Sequence, residues 1–188
     1  MNRKIAPCVA FAGVMALAVM GNSSYAGDAI PVPALYSQLE TFHGHVCAGS
    51  IFGARLGIAA KEALKEAGGT GRFTARYYDL SCPVDGIQVA AGTTYGNKAL
   101  SVQDRDEHRL VLSASKNKRT VEARLTKKAE DLGLKSRDLG NKANTLAAGS
   151  PERMKLKREI EDIFKWLKTA PTSEVVKVTL LTGSPGSR

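Results

Sequence analysis

Gly49, Gly53 and Gly57 recur every fourth residue at the start of a stretch, 50–67, that is rich in alanine, leucine and lysine and is followed by Gly68-Gly69; Gly49 immediately precedes it. That composition predicts a helix ended by the glycine pair. Glycine inside a helix costs up to about 1 kcal/mol relative to alanine. Three on one face therefore predict a close neighbour there: a sheet, a second helix or another subunit. This smooth helix face is the strongest constraint the chain places on its own fold.

The flanking segments supply the remaining elements. Residues 37–42 predict a brief helix after a short arm, Pro31 to Tyr36. Arg72 to Leu80 alternates Phe73, Ala75 and Tyr77 with Thr74, Arg76 and Tyr78, the pattern of a strand. A short helix is expected from Asp85, as a cap, to Ala91, closed by Gly92. Strands follow near 99–103 and 109–114, separated by the polar turn Asp104-Arg105-Asp106-Glu107. Composition shifts near Lys116. Residues 120–146 are rich in lysine, arginine, leucine and alanine, and Ser150-Pro151-Glu152 opens a helix to about Lys168. The two predict an antiparallel helical hairpin. Glu174 to Leu181 alternates Val176, Val178 and Leu180 with polar residues and predicts a last strand, before a loose tail from Thr182.

The N-terminus predicts export. Arg3 and Lys4 precede an apolar run, Ile5 to Met20, and Ser24 and Ala26 form a small-x-small cleavage pattern. The run is shorter than the roughly 20 apolar residues a bilayer span needs, and no later run is long enough. With the cut after Ala26, residues 1–26 form a signal peptide, and 162 of the 188 residues remain for a periplasmic or secreted domain. Loss of Arg3 and Lys4 takes the net charge from +9 to +7. Outside the cytoplasm this favours an acidic protein partner and argues against nucleic acid.

Cys8 leaves with the signal, so Cys47 and Cys82 remain. In an oxidising compartment two cysteines suggest one disulfide. Cys47, however, belongs to His43-Gly44-His45-Val46-Cys47. In an extended segment, residues two apart point the same way, so His43, His45 and Cys47 would converge. Imidazole and thiolate are ligands preferred by zinc and also used by iron and copper. Cys82, at the end of a strand, would complete a Cys2His2 set; with one histidine left out, the metal would keep an open position. His108, in the charged turn, reads as a solvated residue.

At these residues the sequence resembles a known family. Phe42-His43-Gly44-His45-x-Cys47-x-Gly49, Gly53-x-Arg55-x-Gly57, Cys82-x-Val84-Asp85-Gly86-Ile87-Gln88 and Gly92-x-Thr94-x-Gly96-Asn97 are similar in order and spacing to the FmdE-like domain of formylmethanofuran dehydrogenase, over about residues 35–114. The resemblance implies an α+β fold that binds a metal, most often zinc, and forms homodimers. It implies His43, His45, Cys47 and Cys82 as site positions, with Asp85 and Gln88 beside them, orienting or hydrogen-bonding the ligands. Ala48 stands where the family usually has proline, and Thr93 where it often has a third cysteine. Fewer thiolates make a site harder and less committed to zinc.

The expected architecture is thus a small mixed sheet packed with the glycine-striped helix, plus a C-terminal helical hairpin and a final strand. The expected segments are a metal-binding unit over 27–115, a basic hairpin over 116–170, and a terminal strand and tail over 171–188 in the same domain. The expected function is an exported metal-binding accessory, carrier or sensor. The alternatives are a noncovalent haem- or iron-binding redox protein or enzyme, since the Cys-x-x-Cys-His attachment motif is absent, and an interaction module held by a disulfide. The family's enzyme complex handles a cytoplasmic one-carbon carrier, so an exported chain is not expected to serve it.

Overall fold

Tyr77, Leu110, Leu112, Val121 and Ala123 are buried at alternate positions along three neighbouring strands, and together they build the inner face of a five-stranded sheet. The structure is a computed structural model and describes residues 33–181. The expected signal peptide and the tail from Thr182 lie outside the described residues. The elements are α1 (Pro33–His43), α2 (Ala48–Glu66), β1 (Phe73–Tyr78), α3 (Pro83–Ala91), β2 (Leu100–Val102), β3 (Glu107–Ala114), β4 (Thr120–Leu125), α4 (Lys127–Asn144), α5 (Pro151–Thr169), α6 (Thr172–Val175) and β5 (Val176–Leu181). The strand order is β2-β1-β3-β4-β5. Only β1 and β2 run parallel, joined through α3; the other pairs are antiparallel. The mixed sheet, the long α2, the α4–α5 hairpin and the closing strand are as expected.

Helix α2 is the centre of the molecule. Ile51, Leu56, Ala60 and Leu64 are fully buried, and they join the inner sheet face with Ile163 and Leu167 of α5. Its glycine face is used within the chain. A Cβ at Gly49 would lie 2.8 Å from Cys82 Cβ, at Gly53 1.9 Å from the Pro83 carbonyl oxygen, and at Gly57 2.9 Å from Ala90 Cβ. Gly86 of α3 reciprocates: a Cβ there would lie 2.3 Å from the Ser50 carbonyl oxygen. The two helices therefore run parallel in near backbone contact, which fills the face that could have received another subunit. On the other side of α2, buried Arg55 donates to the carbonyls of Lys168 and Ala170 at the end of α5, at 3.1 and 2.6 Å. These carbonyls have no partner inside the helix, so the guanidinium closes its C-terminus.

Three readings are corrected. The first six residues of the segment expected to be all helix, Thr120–Leu125, form β4, with Val121, Ala123 and Leu125 buried. The helix expected over 37–42 begins at Pro33 and takes in the arm residues Leu35 and Tyr36. Its end, His43, is helical rather than extended. Asp85 does not cap α3: Cys82 occupies the cap, Pro83 follows, and Asp85 lies in the first turn.

The Thr93 hydroxyl is buried and, alone among the buried side-chain polar atoms of the described residues, lacks a hydrogen-bond partner. An unpaired buried hydroxyl carries a desolvation penalty. Thr93→Val is expected to raise stability by about 1 kcal/mol, read as a higher urea midpoint at unchanged slope. A lower midpoint would mean that this hydroxyl is bonded.

Candidate metal centre

Because α2 and α3 run parallel and almost touch, their N-termini meet at one end of the molecule. A cysteine occupies the N-cap position of each. Cys47 caps α2 in extended conformation (φ −130°, ψ 170°): its sulfur accepts from the Ser50 N–H at 3.4 Å, and its own N–H donates to Ser50 Oγ at 3.0 Å. Cys82 is the N-cap residue of α3. The donor atoms of His43, Cys47 and Cys82 all lie within 4.8 Å of one another. Both cysteines are free thiols.

His43 arrives from the other side, as the last residue of α1. Gly44, in the left-handed region at φ +83°, turns the chain back toward Cys47. The convergence of His43 and Cys47 thus comes from a helix end, a tight turn and a helix start, not from an extended strand. His43 Nε2 lies 3.8 Å from Cys47 Sγ. Its Nδ1 faces Asp85 Oδ2 at 2.6 Å. Gln88 Nε2 donates to Asp85 Oδ1 at 3.2 Å, and the Tyr95 N–H donates to Gln88 Oε1 at 3.0 Å. The chain from Tyr95 through Gln88 and Asp85 fixes the ring, with Nδ1–H toward the carboxylate and Nε2 toward the thiols. A metal-binding histidine is commonly held in this way.

His45 stands apart from the three-donor set. It is exposed, and its ring centroid lies 4.7 Å from that of His43. Of the four candidate ligands, the structure therefore groups His43, Cys47 and Cys82 and leaves His45 at the rim.

The electrostatics of the three donors differ. The hydrogen bond to Asp85 holds the His43 imidazole above its ordinary value, against the opposing effect of burial. For Cys47, burial favours the neutral thiol. The bonds from Ser50, His43 and Cys82 together outweigh it and bring the thiol below its usual value. Burial pushes the Cys82 thiol up, and the neighbouring Cys47 charge pushes it further. One sulfur is thus disposed to ionise before the other.

His108 was expected to be solvated, and here the structure differs. The β1–β3 register is Tyr77↔Leu110 but then Tyr78↔Glu107. This irregularity leaves His108 and Arg109 without partners on β1. Arg109 stacks on the Tyr78 ring at 3.5 Å, and half-buried His108 reaches Asp79 Oδ2 at 3.3 Å and the Tyr77 hydroxyl at 3.0 Å. Charge patterning in the turn hid this, because a bulge re-aims side chains that a regular ladder would leave at the surface.

The FmdE family, described as "molybdenum formylmethanofuran dehydrogenase operon", matches residues 42–177. The chain belongs to the FmdE family. The match extends well past the motif region, through β4, the hairpin and into β5, so these elements are part of the family's domain. A solved structure of a tungsten formylmethanofuran dehydrogenase FmdE-like protein from Syntrophus aciditrophicus has the same fold, with a TM-score of 0.55 and 19% identity over 81% of this chain and 73% of that one. A "probable S-adenosyl-L-methionine-binding protein" of Archaeoglobus fulgidus is 27% identical over 163 residues, 82% of this chain. The chain spans 44% of that relative's length. Among the described residues no helix is long and apolar enough to cross a membrane.

Two thiols and one carboxylate-oriented imidazole, part-buried and convergent, suit a transition metal by donor type and by proximity.

Proposed function

We propose that this chain is an exported metal-binding member of the FmdE family that holds zinc through His43, Cys47 and Cys82 in an accessory, carrier or sensor role. The observation that carries the reading is the convergence of these three donors around a histidine already oriented by Asp85. Three protein ligands leave a fourth position, and a metal held so would act there as a Lewis acid toward an exchangeable ligand. In this reading His45 stands beside the open position, able to approach it or to hydrogen-bond whatever occupies it. The adenosylmethionine binding named for the Archaeoglobus relative is not part of the reading, since this chain spans 44% of that protein. A homodimer and an acidic partner belong to the same reading, supported by the basic charge and by exposed Phe42, Leu80 and Tyr95 in the segments that carry the site.

Elemental analysis and an absorption spectrum of wild type, His43→Ala and His45→Ala test the reading, with light scattering on the same samples for oligomeric mass. The expected result is one metal per chain in wild type and His45→Ala, and none in His43→Ala, with no visible bands. Coloured wild-type protein would replace zinc by iron or haem. No metal in wild type, even after incubation with metal ions, would reject the reading and favour the disulfide-held module. A monomer mass would remove the dimer from it.

A further inference from the structure

A second aspartate–histidine pair flanks the same cysteine. Asp79 lies three residues before Cys82 and Asp85 three residues after it. Each carboxylate faces the Nδ1 of a histidine: Asp85 that of His43 at 2.6 Å, Asp79 that of His108 at 3.3 Å. The Asp85 pair reaches a proposed ligand directly. The Asp79 pair does not, yet it has the more deeply placed carboxylate, with a side chain 10% exposed against 33% for Asp85.

A buried carboxylate is costly unless it is paired and hydrogen-bonded. Asp79 Oδ2 accepts from the Ser81 hydroxyl and faces His108. The same Nδ1 lies 3.0 Å from the Tyr77 hydroxyl, so the phenol oxygen and the carboxylate converge on one ring nitrogen. Tyr77 is fully buried; burial, reinforced by the Asp79 charge, raises its phenol far above the ordinary range, so it remains a neutral phenol. Ser81 is the residue before Cys82. Its carbonyl accepts from the Val84 N–H at 3.0 Å and so closes the turn that opens α3. The core of the sheet is thereby tied, through Tyr77, His108, Asp79 and Ser81, to the turn that aims the Cys82 sulfur. Ser81 is itself exposed. Its hydroxyl is held by Asp79, not by close packing around it.

We propose that Asp79, steadied by His108 and acting through the Ser81 hydroxyl, is the positioning residue that keeps Cys82 Sγ on the metal site. This rests on the metal reading above and extends it to the third donor, the one for which no side-chain anchor was visible in the sequence. Asp85 and Asp79 then divide the work, the first orienting the imidazole and the second the thiol.

Ser81→Ala and Ser81→Thr, in the full mature chain, test it with little risk to folding. Asp79→Asn is the stronger companion. Cobalt(II) is the probe, because its sulfur-to-metal absorption reports thiolate contact. Ser81→Ala and Asp79→Asn are expected to weaken cobalt affinity by about 10- to 100-fold, the range for groups that orient ligands, and to reduce the thiolate band. Ser81→Thr, which keeps the hydroxyl, should restore both. A role confined to folding would lower the melting temperature and leave the saturated cobalt spectrum unchanged; that outcome overturns the proposal, as does wild-type affinity in Ser81→Ala. Failure of wild type to take up cobalt would be a failure of the metal reading instead. Alkylation of metal-free protein, mapped by mass spectrometry, then decides the positioning role separately. A Cys82 rate changed relative to Cys47 in Ser81→Ala and restored in Ser81→Thr supports it, and an unchanged ratio overturns it.

Discussion

Gly53→Ala is expected to lose about 3 kcal/mol of stability or more, a large part of the roughly 5–15 kcal/mol that holds a domain of this size together. The added methyl would meet the Pro83 carbonyl oxygen at 1.9 Å and the Pro83 carbonyl carbon at 2.6 Å. These are backbone atoms at the start of α3, so no rotamer change relieves the clash; the helices must part. Parting them also separates the two cysteine caps, so metal capacity should fall together with stability. Gly140→Ala is the matched control. Gly140 lies inside α4 with open space where the methyl would go, and there the same change should be neutral or stabilise by up to about 1 kcal/mol. Urea midpoints of the two variants against wild type provide the check. A Gly53→Ala midpoint equal to wild type would show that α2 and α3 are not packed as described.

Cys47→Ser is expected to reduce zinc affinity by more than the roughly 10- to 100-fold typical of losing an outer hydrogen-bond partner, since it removes a thiolate donor itself. The serine hydroxyl can keep the helix cap with Ser50, so the fold should survive. The same titrations should show a pH dependence of definite sign. Metal binding requires neutral imidazole Nε2 and ionised sulfur, so it releases protons. The Asp85 bond raises His43, and burial raises Cys82. Both hold their protons to higher pH than isolated groups would, so zinc affinity should fall as the solution is acidified through the region above the ordinary histidine value of 6.5. Cys47, already lowered, contributes less to that fall. Chelator competition between about pH 6 and 9 reads both effects. A flat profile would remove His43 and Cys82 as the groups that lose protons on binding, and a Cys47→Ser protein that binds like wild type would remove Cys47 from the ligand set.

Much of this protein was legible one segment at a time. The helical composition of α2, the period-two alternation of β1 and β5, the Ser150-Pro151 start of α5 and the Gly92 stop of α3 are local signals, and local backbone preferences suffice to express them. Spacing likewise singled out His43, His45 and Cys47, with Cys82 as a further ligand, and the family resemblance added Asp85 and Gln88 beside them. β4 escaped because its Lys- and Arg-rich surroundings read as helix, whereas Val121, Ala123 and Leu125 are drawn into the sheet by β3 on one side and β5 on the other. Strand identity there depends on neighbours that are distant in the chain.

The sequence alone determined that α2 carries a smooth face and that histidine and cysteine cluster ahead of it. Only the tertiary structure decided what that face is for. It lets α3 lie close enough to bring the Cys82 cap beside the Cys47 cap, across 35 residues of chain. The tertiary structure also separated His43 from His45, because a helix end and the left-handed turn at Gly44 break the two-residue alternation that an extended strand would have kept. And it paired His108 with Asp79 through a register shift in the sheet. Spacing along a chain restricts which donors can meet; the direction in which each side chain points is fixed by packing between elements, which spacing does not encode.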